Sequence, residues 1–217
     1  MKAFLLASAL ALSAVPALAD SIQLTATCDA VACGSAFSPV GTLNINNQAF
    51  GSVFNLNTLS INSQTFLVAP GVLTTNTLDV DQSVAGNHTL VLDIIANGLS
   101  GPNALTAFLS TFSVSGQPAG WTIQAQTLIN GNPLASSLVF TGVSDSGSST
   151  NLAFAGSLFS AEAIYTITSS GVGSVNAGID ISVAAVPEPA TWGMMLLGFL
   201  GLGAAFRMKR KVAPLAA

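Results

Sequence analysis

Basic side chains are missing from almost the whole sequence. All five lysines and arginines lie at Lys2 or after Phe206, so neither residue type occurs from position 3 to position 206. Nucleic-acid binding requires Lys or Arg to neutralise phosphates, and this class of function is therefore excluded. Phosphate chemistry that depends on a lysine or arginine clamp is excluded for the same reason. The carboxylates of this long stretch have no Lys or Arg partner.

Histidine is almost as scarce. His88, in Gly86-Asn87-His88-Thr89, is the single histidine, and a lone histidine in a turn is usually a surface residue. The Gly-x-Ser-x-Gly pattern of a nucleophile elbow does not occur, and no second histidine is present for a metal cluster. We therefore expect a non-enzymatic protein without a cofactor or a metal site. A hydrolase built around His88 is the alternative.

The segment Asp79-Val80-Asp81 can place two carboxylates on one face of a strand, which is a partial signal for Ca²⁺. The full calcium-loop pattern, with its glycine and its terminal glutamate, is absent. We therefore interpret the pair as solvated carboxylates on an edge strand, where such charges discourage edge-to-edge aggregation.

Residues 1–19 have the organisation of a secretory signal peptide. Lys2 precedes a short apolar run from Ala3 to Val15, and Ala17-Leu18-Ala19 forms an Ala-x-Ala cleavage site before Asp20. A retained N-terminal transmembrane helix is the alternative, which the shortness of the run disfavours. The sequence therefore predicts export.

The sequence contains two cysteines, Cys28 and Cys33, with four residues between them. A redox site favours a Cys-x-x-Cys spacing with a cation nearby, and a zinc site needs more ligands. In an exported protein such a pair is expected to form a structural disulfide, here closing the loop from Asp29 to Ala32.

The stretch from Asp20 to Val186 is long enough for one sizeable hydrophobic core. Charged residues make up 6% of the chain, against about 25% in an average soluble protein, but the apolar residues are patterned, which argues against disorder. They alternate with polar residues at a period of two, as in half-buried strands. The alternating apolar positions are Ile22, Leu24, Ala26 and Cys28; Trp121, Ile123, Ala125 and Ile129; and Ile179, Ile181 and Val183.

Turn signals separate the alternating segments. Short strands at this spacing predict an all-β antiparallel sandwich for residues 20–186, with an incomplete barrel as the alternative. One stretch also fits a helical face, although it runs as a strand into Val114, and we expect a strand; its apolar positions are Leu105, Phe108, Leu109 and Phe112. The turn signals are Gly86-Asn87, Asn97-Gly98, Gly116-Gln117-Pro118, Asn130-Gly131-Asn132-Pro133 and Ser144 to Thr150.

The end of the sequence predicts a membrane segment. The 17 residues from Ala190 to Phe206 carry no charge, and a helix of that length covers roughly 25 Å of a hydrocarbon core about 30 Å thick. Trp192 lies at the position of an interfacial aromatic. We predict a transmembrane helix over about 190–206, a short tail at 212–217 and, between them at 207–211, a basic cluster that keeps the C-terminus in the cytoplasm: Arg207, Lys209, Arg210 and Lys211.

Pro187-Glu188-Pro189 precedes this helix. Its two prolines hold an extended segment that a protease or transpeptidase can bind. With Trp192, the glycine-rich helix and the basic cluster, residues 187–211 closely resemble the PEP-CTERM protein-sorting signal, a domain also labelled as the C-terminal domain of ice-binding proteins. The resemblance implies that an exosortase, a membrane cysteine transpeptidase of Gram-negative bacteria, removes the helix near the Pro-Glu-Pro motif and releases or re-attaches the protein.

We interpret the chain as an exported, non-enzymatic protein of the cell surface or extracellular matrix. The inner membrane is then a transient partner of the precursor, and the resemblance further implies a role in biofilm and an exopolysaccharide partner. A permanently anchored protein is one alternative. A carbohydrate- or ice-binding module is another, with Trp121 and Tyr165 as candidate aromatics, although both sit on alternating strands, where such residues more often belong to the core. Its Thr-x-Thr pairs are scattered in the sequence, which gives ice binding little support.

Overall fold

The computed structural model describes residues 20–64, 71–101, 103–134, 137–184, 195–200 and 202. The chain divides into two compact units, Met1–Val183 and Ala184–Ala217. The predicted signal peptide at 1–19, with Ala17 and Ala19, lies outside the described residues and stays a prediction.

The described part of the first unit is all-β. Its strands are β1 (Ser21–Cys28), β2 (Val31–Ser38), β3 (Thr42–Phe50), β4 (Phe54–Ser63), β5 (Gly71–Gln82), β6 (His88–Ser100), β7 (Ala104–Ser115), β8 (Thr122–Ile129), β9 (Asn132–Pro133), β10 (Leu138–Phe140), β11 (Ser144–Ala155), β12 (Leu158–Ser169) and β13 (Gly173–Val183).

The strands form two antiparallel sheets. Sheet A has the order β10-β8-β12-β6-β1-β2, with β9 also paired to β8, and sheet B has the order β11-β7-β13-β5-β4-β3. The two sheets share one hydrophobic core, which confirms the predicted antiparallel sandwich. The stretch from Leu105 to Phe112 lies within β7, so the strand expectation is confirmed there as well.

The period-two alternation explains which side chains form the core. In β1 the side chains of Ile22, Leu24 and Ala26 are buried, and in β13 the same holds for Ile179 and Ile181. Successive side chains of a strand point to opposite faces, so the residues between them lie on the outer surfaces of the two sheets. On the outer surface of sheet B, most of these intervening positions carry polar side chains.

Two turn predictions are wrong. Ser144 to Thr150 belongs to β11, an edge strand whose partner among the described strands is β7. Its polar composition reflects exposure at the edge of the sheet rather than a turn. Asn97-Gly98 lies inside β6, where Gly98 has a positive φ of 78° and the pairing with β12 shifts register opposite Phe159 and Ala161. That glycine marks a bulge, a common role of glycine in strands.

In the second unit the structure describes a helical segment at 195–200 and residue 202, with exposed apolar side chains. Among the described residues, no helix is both long enough and apolar enough to cross a membrane. The remainder of the predicted transmembrane helix lies outside the described residues, so that helix stays a prediction. The same applies to Pro187, Glu188, Pro189 and Trp192 and to the cations Arg207, Lys209, Arg210 and Lys211.

Candidate functional site

Most of the outer surface of sheet B is an array of small polar side chains, here called the polar face; at one end of β7 and β11 it gives way to the exposed apolar side chains of Leu105, Leu152 and Phe154. Strand register aligns these side chains in rows that cross all six strands. One row contains Ser148, Thr111, Asp180, Thr74, Asn62 and Thr42. Another contains Ser144, Ser115, Asn176, Asp79, Thr58 and Asn46. Adjacent members of a row are about 4.8 Å apart, the spacing of neighbouring strands.

A shallow cleft of about 320 Å³ lies in the middle of the polar face. It arises from a bulge in β5: Leu78 pairs with Ala177 and Thr75 with Ile179, so β5 carries one more residue here than β13. Thr77 in the bulge adopts a left-handed φ of 53°. The cleft is lined by Thr75, Asn76, Thr77, Ser113, Ser115, Asn176, Ala177 and Gly178.

The floor of the cleft depends on Gly178. A Cβ atom at this position would lie 3.1 Å from Ser113 Oγ and 3.3 Å from the carbonyl oxygen of Thr75. A side chain at 178 would therefore fill the space between β7 and β5. A second, smaller hollow of about 160 Å³ adjoins it and adds Thr111 and Asp180 to the lining.

One side of the polar face is tied together by its own hydrogen bonds. The Asn55 amide donates to Asn47 Oδ1 at 3.0 Å and to Asn57 Oδ1 at 2.7 Å. Asn57 Nδ2 in turn donates to Asp81 Oδ2 at 2.8 Å, and Asp79 Oδ2 is 3.4 Å away from the same nitrogen. The amide of Asn57 therefore takes the place of the missing cations as the partner of these two carboxylates.

The position of Asp79 and Asp81 corrects one expectation. Both carboxylates lie on one face, as expected, but β5 is an interior strand between β13 and β4. The expected edge strand is therefore wrong, because β13, which covers the edge of β5 opposite β4, comes from a distant part of the sequence. Among the residues that the structure describes, no group of three or more His, Cys, Asp or Glu side chains could hold a metal ion.

His88 is paired with a carboxylate at the end of sheet A. Its Nδ1 lies 2.8 Å from Asp29 Oδ2, and the backbone N–H of Thr89 donates to Asp29 Oδ1 at 2.8 Å. The hydrogen bond with His88, followed by that from Thr89, lowers the pKa of the Asp29 carboxyl.

Cys28 and Cys33 form the predicted disulfide. It closes the tip of the β1–β2 hairpin, where Asp29 and Ala30 both have a positive φ. Since Asp29 is also the partner of His88, the disulfide loop and the start of β6 are held together at this end of the sandwich.

Trp121 and Tyr165 are not surface aromatics. Each is only 1% exposed, and both belong to the core. The interpretation of these two residues as sugar-binding aromatics is therefore wrong: the alternation that placed them on strands points them inwards. The Tyr165 hydroxyl instead hydrogen-bonds with Thr75 Oγ1 of sheet B, and burial raises the pKa of the phenol.

Sheet A carries a pair of carboxyl groups that the sequence did not reveal. Asp93 on β6 pairs with Ile164 on β12, and Glu162 pairs with Ile95, so the two carboxyl groups are diagonal neighbours. Burial raises the pKa of Asp93. Burial, and then the negative charge of Asp93, raise the pKa of Glu162. About 70 residues separate Asp93 from Glu162 in the sequence. The pairing of β6 with β12 brings them together.

The fold and its surface define an all-β sandwich domain with a separate C-terminal unit. Residues 185–211 match the family model of the PEP-CTERM protein-sorting motif. The chain therefore carries this sorting motif, as its sequence predicted. No curated protein matches the chain.

Several solved structures share a loose likeness with the chain. TmCBM61 in complex with β-1,4-galactotriose is 12% identical, with 54% of this chain and 72% of that chain covered and a TM-score of 0.34. The C-terminal CBM6 of LamC from Zobellia galactanivorans is 15% identical, with 65% and 98% covered and a TM-score of 0.29. A CBM35 from Paenibacillus barcinonensis is 15% identical, with 67% and 98% covered and a TM-score of 0.30. No functional conclusion follows from likeness this loose.

Proposed function

We propose that this protein is an exported, non-enzymatic protein of the cell surface or extracellular matrix, sorted and processed through its PEP-CTERM signal. The observation that carries the proposal is the sorting motif at residues 185–211, which begins directly after the last strand ends at Val183. The motif and the sandwich thus occupy separate units of the chain.

Processing at this boundary is compatible with the fold. Every buried apolar residue of the described core lies between Ile22 and Ile181. Cleavage near Pro189 would remove none of them, so the sandwich would keep its core after the tail is lost. The Cys28–Cys33 disulfide is typical of an oxidising compartment and agrees with export.

In the proposed pathway the precursor is anchored in the inner membrane of a Gram-negative bacterium. An exosortase-type enzyme then cuts near Pro187-Glu188-Pro189 and discards the helix with its cations. The sandwich goes to the surface or to the matrix, where it acts by its surface and not by catalysis.

The test is the intact mass of the mature protein from cells with and without the processing enzyme. We expect a C-terminus near Pro189 in the first case and the complete tail in the second. Replacing Pro187, Glu188 and Pro189 together by alanine should also leave the tail in place. Pro133→Ala, a proline substitution at an exposed position of the sandwich, is the control and should be processed normally. A mature protein that keeps residues beyond Phe206 in every strain would instead show a permanent anchor.

A second candidate function is binding of carbohydrate or ice, which the polar face favours. Its rows present hydroxyl and amide groups at regular spacing on a surface without Lys or Arg. The rows mix Asn, Ser, Asp and Thr and are not ladders of Thr alone, so the hydrogen-bonding chemistry of a sugar suits them better than a Thr-based ice-binding surface.

A further inference from the structure

We propose that the cleft beside Gly178 is a binding site for an uncharged polysaccharide segment. The inference rests on display of the sandwich outside the cell, as proposed above, and it specifies the ligand class of the second candidate function. It does not depend on whether the tail is cut.

The first argument is that the cleft contains uncommitted hydrogen-bonding groups. Within the described part of the chain, the side chains of Asn76, Asn176, Ser113 and Ser115 make no hydrogen bond, whereas Asn55 and Asn57 on the other side of the same face hydrogen-bond to neighbouring side chains. Amide and hydroxyl groups offer both donors and acceptors. A ligand rich in hydroxyl groups can satisfy them all.

The second argument is the shape of the site. The bulge at Thr77 and the missing side chain at Gly178 open a cleft of about 320 Å³, which lies at the lower end of the range of small-ligand sites, roughly 300–1,000 Å³. The cleft is open to solvent along the sheet surface, so a chain of sugar residues can pass across it while one or two of them enter. This geometry suits a polymer better than a ligand that must be enclosed.

The third argument is charge. No Lys or Arg occurs between residues 3 and 206, while Asp180 lines the adjoining hollow and Asp79 is the strand neighbour of Asn176. An acidic polysaccharide would meet carboxylates without a compensating cation, and like charges repel. An uncharged glycan meets no such penalty.

The site should bind weakly in a single contact. The described lining includes no aromatic side chain on which a sugar ring could stack, so hydrogen bonds that compete with water supply most of the affinity. Many copies displayed together would bind one polymer through several weak contacts, and such avidity exceeds the single-site affinity by orders of magnitude.

The experiment uses the full chain in a sugar-free detergent and ligand-observed NMR, which detects weak binding. The probes are linear hexasaccharides of β-1,4-, β-1,3- and α-1,4-linked glucose, with a hexagalacturonate as the acidic counterpart. We expect saturation transfer to at least one neutral hexasaccharide and none to the galacturonate. Failure of all three neutral probes, or tighter binding of the acidic one, overturns the proposal.

Variants locate the site. Asn176→Ala should weaken binding about fivefold to tenfold, the equivalent of one hydrogen bond, and Gly178→Val should abolish it by filling the cleft. Asn44→Ala is the matched control, since Asn44 is an exposed asparagine on β3 of the same face, outside the cleft. Thermal unfolding of each variant shows whether the fold survives. If Gly178→Val fails to fold, the difference in hexasaccharide binding between Asn176→Ala and Asn44→Ala shows whether the cleft is the binding site.

Equal losses in Asn176→Ala and Asn44→Ala would overturn the assignment of the cleft. The outcome for the proposed function is read separately, from the mass of the mature protein. A correctly processed protein that binds no neutral glycan refutes the cleft and leaves sorting intact. An unprocessed protein that binds glycan refutes the sorting proposal and leaves the cleft intact.

Discussion

Thr75 and Tyr165 join the two sheets through a hydrogen bond between their hydroxyl groups inside the core. Thr75 Oγ1 also donates to the carbonyl oxygen of Ile179 at 3.1 Å and accepts the Ile179 N–H at 2.9 Å. A hydroxyl has one proton and two lone pairs. Since the proton of Thr75 is donated to the Ile179 carbonyl, the Tyr165 hydroxyl is the donor in the hydrogen bond between the sheets, and all hydrogen-bonding positions of Thr75 Oγ1 are occupied. The same threonine precedes the bulge that forms the cleft.

Substitutions at this contact should have unequal effects. Tyr165→Phe leaves Thr75 satisfied by Ile179 and should cost about 0.5–1.5 kcal/mol of unfolding free energy, the net value of one hydrogen bond. Thr75→Val leaves the Tyr165 hydroxyl and the Ile179 N–H without their partner, at about 1–3 kcal/mol for each unsatisfied group. Urea unfolding of both variants measures the difference, and a smaller loss for Thr75→Val would refute this account.

A second hydroxyl pair also bridges the sheets. Ser110 Oγ of β7 lies 2.7 Å from Thr127 Oγ1 of β8, and both side chains are buried. We expect Thr127→Val alone to destabilise the domain by about 1–3 kcal/mol, because it leaves Ser110 unsatisfied. The double variant Ser110→Ala/Thr127→Val should be close to the parent in stability, since both polar groups are then removed. A double variant less stable than Thr127→Val would contradict the interpretation.

The carboxyl pair of sheet A should make the domain more stable on mild acidification. The pKa values of Asp93 and Glu162 are raised in the folded state. At a pH between the unfolded-state pKa of such a group and its higher folded-state pKa, the folded protein therefore binds more protons than the unfolded protein. The stability that these groups contribute is then fully present below their unfolded pKa and is lost as pH rises through the folded pKa. Thermal unfolding from pH 4 to pH 7 should show this decline.

Asp93→Asn tests the origin of that decline. The substitution removes a half-buried charge and its repulsion of Glu162, so we expect higher stability than the parent at pH 7 and a flatter pH profile. Asp145→Asn, at an exposed position of the edge strand β11, is the matched control and should leave the profile unchanged. An unaltered profile in Asp93→Asn would show that other groups cause the decline.

The Asp29 carboxylate should stabilise the folded state as pH rises, which is the opposite of the effect of Asp93 and Glu162, and it should do so at lower pH. Its pKa is lowered by His88 and by the Thr89 N–H, so its contribution is present above the unfolded pKa and is lost as pH falls through the folded pKa. We expect Asp29→Asn to reduce stability at pH 6 and to make no difference near pH 2. The measurement is unfolding at the two pH values, and equal losses at both would exclude a charge effect.

The sandwich should fold without its C-terminal unit. A fragment of residues 20–184 contains every strand that the structure describes and the whole described core. We expect cooperative unfolding at nearly the midpoint of the full chain, measured by circular dichroism in parallel. A fragment that unfolds without cooperativity would show that the tail contributes to the sandwich, and would count against processing before the domain acts.

Much of the fold could be predicted because half-buried strands leave a clear pattern. Ile22, Leu24 and Ala26 alternate with polar residues and are buried in the structure. The pattern failed where its assumptions did not hold. The serine-rich start of β11 was interpreted as a turn, since an exposed edge strand lacks the alternation that burial imposes.

The cleft could not be predicted, because a bulge depends on strand partners that are distant in sequence. One signal was present: the inward positions of β5 are odd-numbered at Leu73 and Thr75 but even-numbered at Leu78 and Val80. That change of phase indicates one extra residue between them. It does not indicate that Gly178 of β13 lies next to it, which only the sheet order shows.

The surface of both sheets lacks lysine and arginine, and this limits how the protein can be detected. Trypsin has no cleavage site from residue 3 to residue 206, so a tryptic digest would leave the whole sandwich as one large peptide that routine mass spectrometry overlooks. In a chain that has lost its signal peptide and its tail, as proposed, amine-directed labels and aldehyde fixatives would react only with the α-amino group. Protein surveys that rely on these reagents would miss it, whereas chymotrypsin or carboxyl-directed chemistry would reveal it.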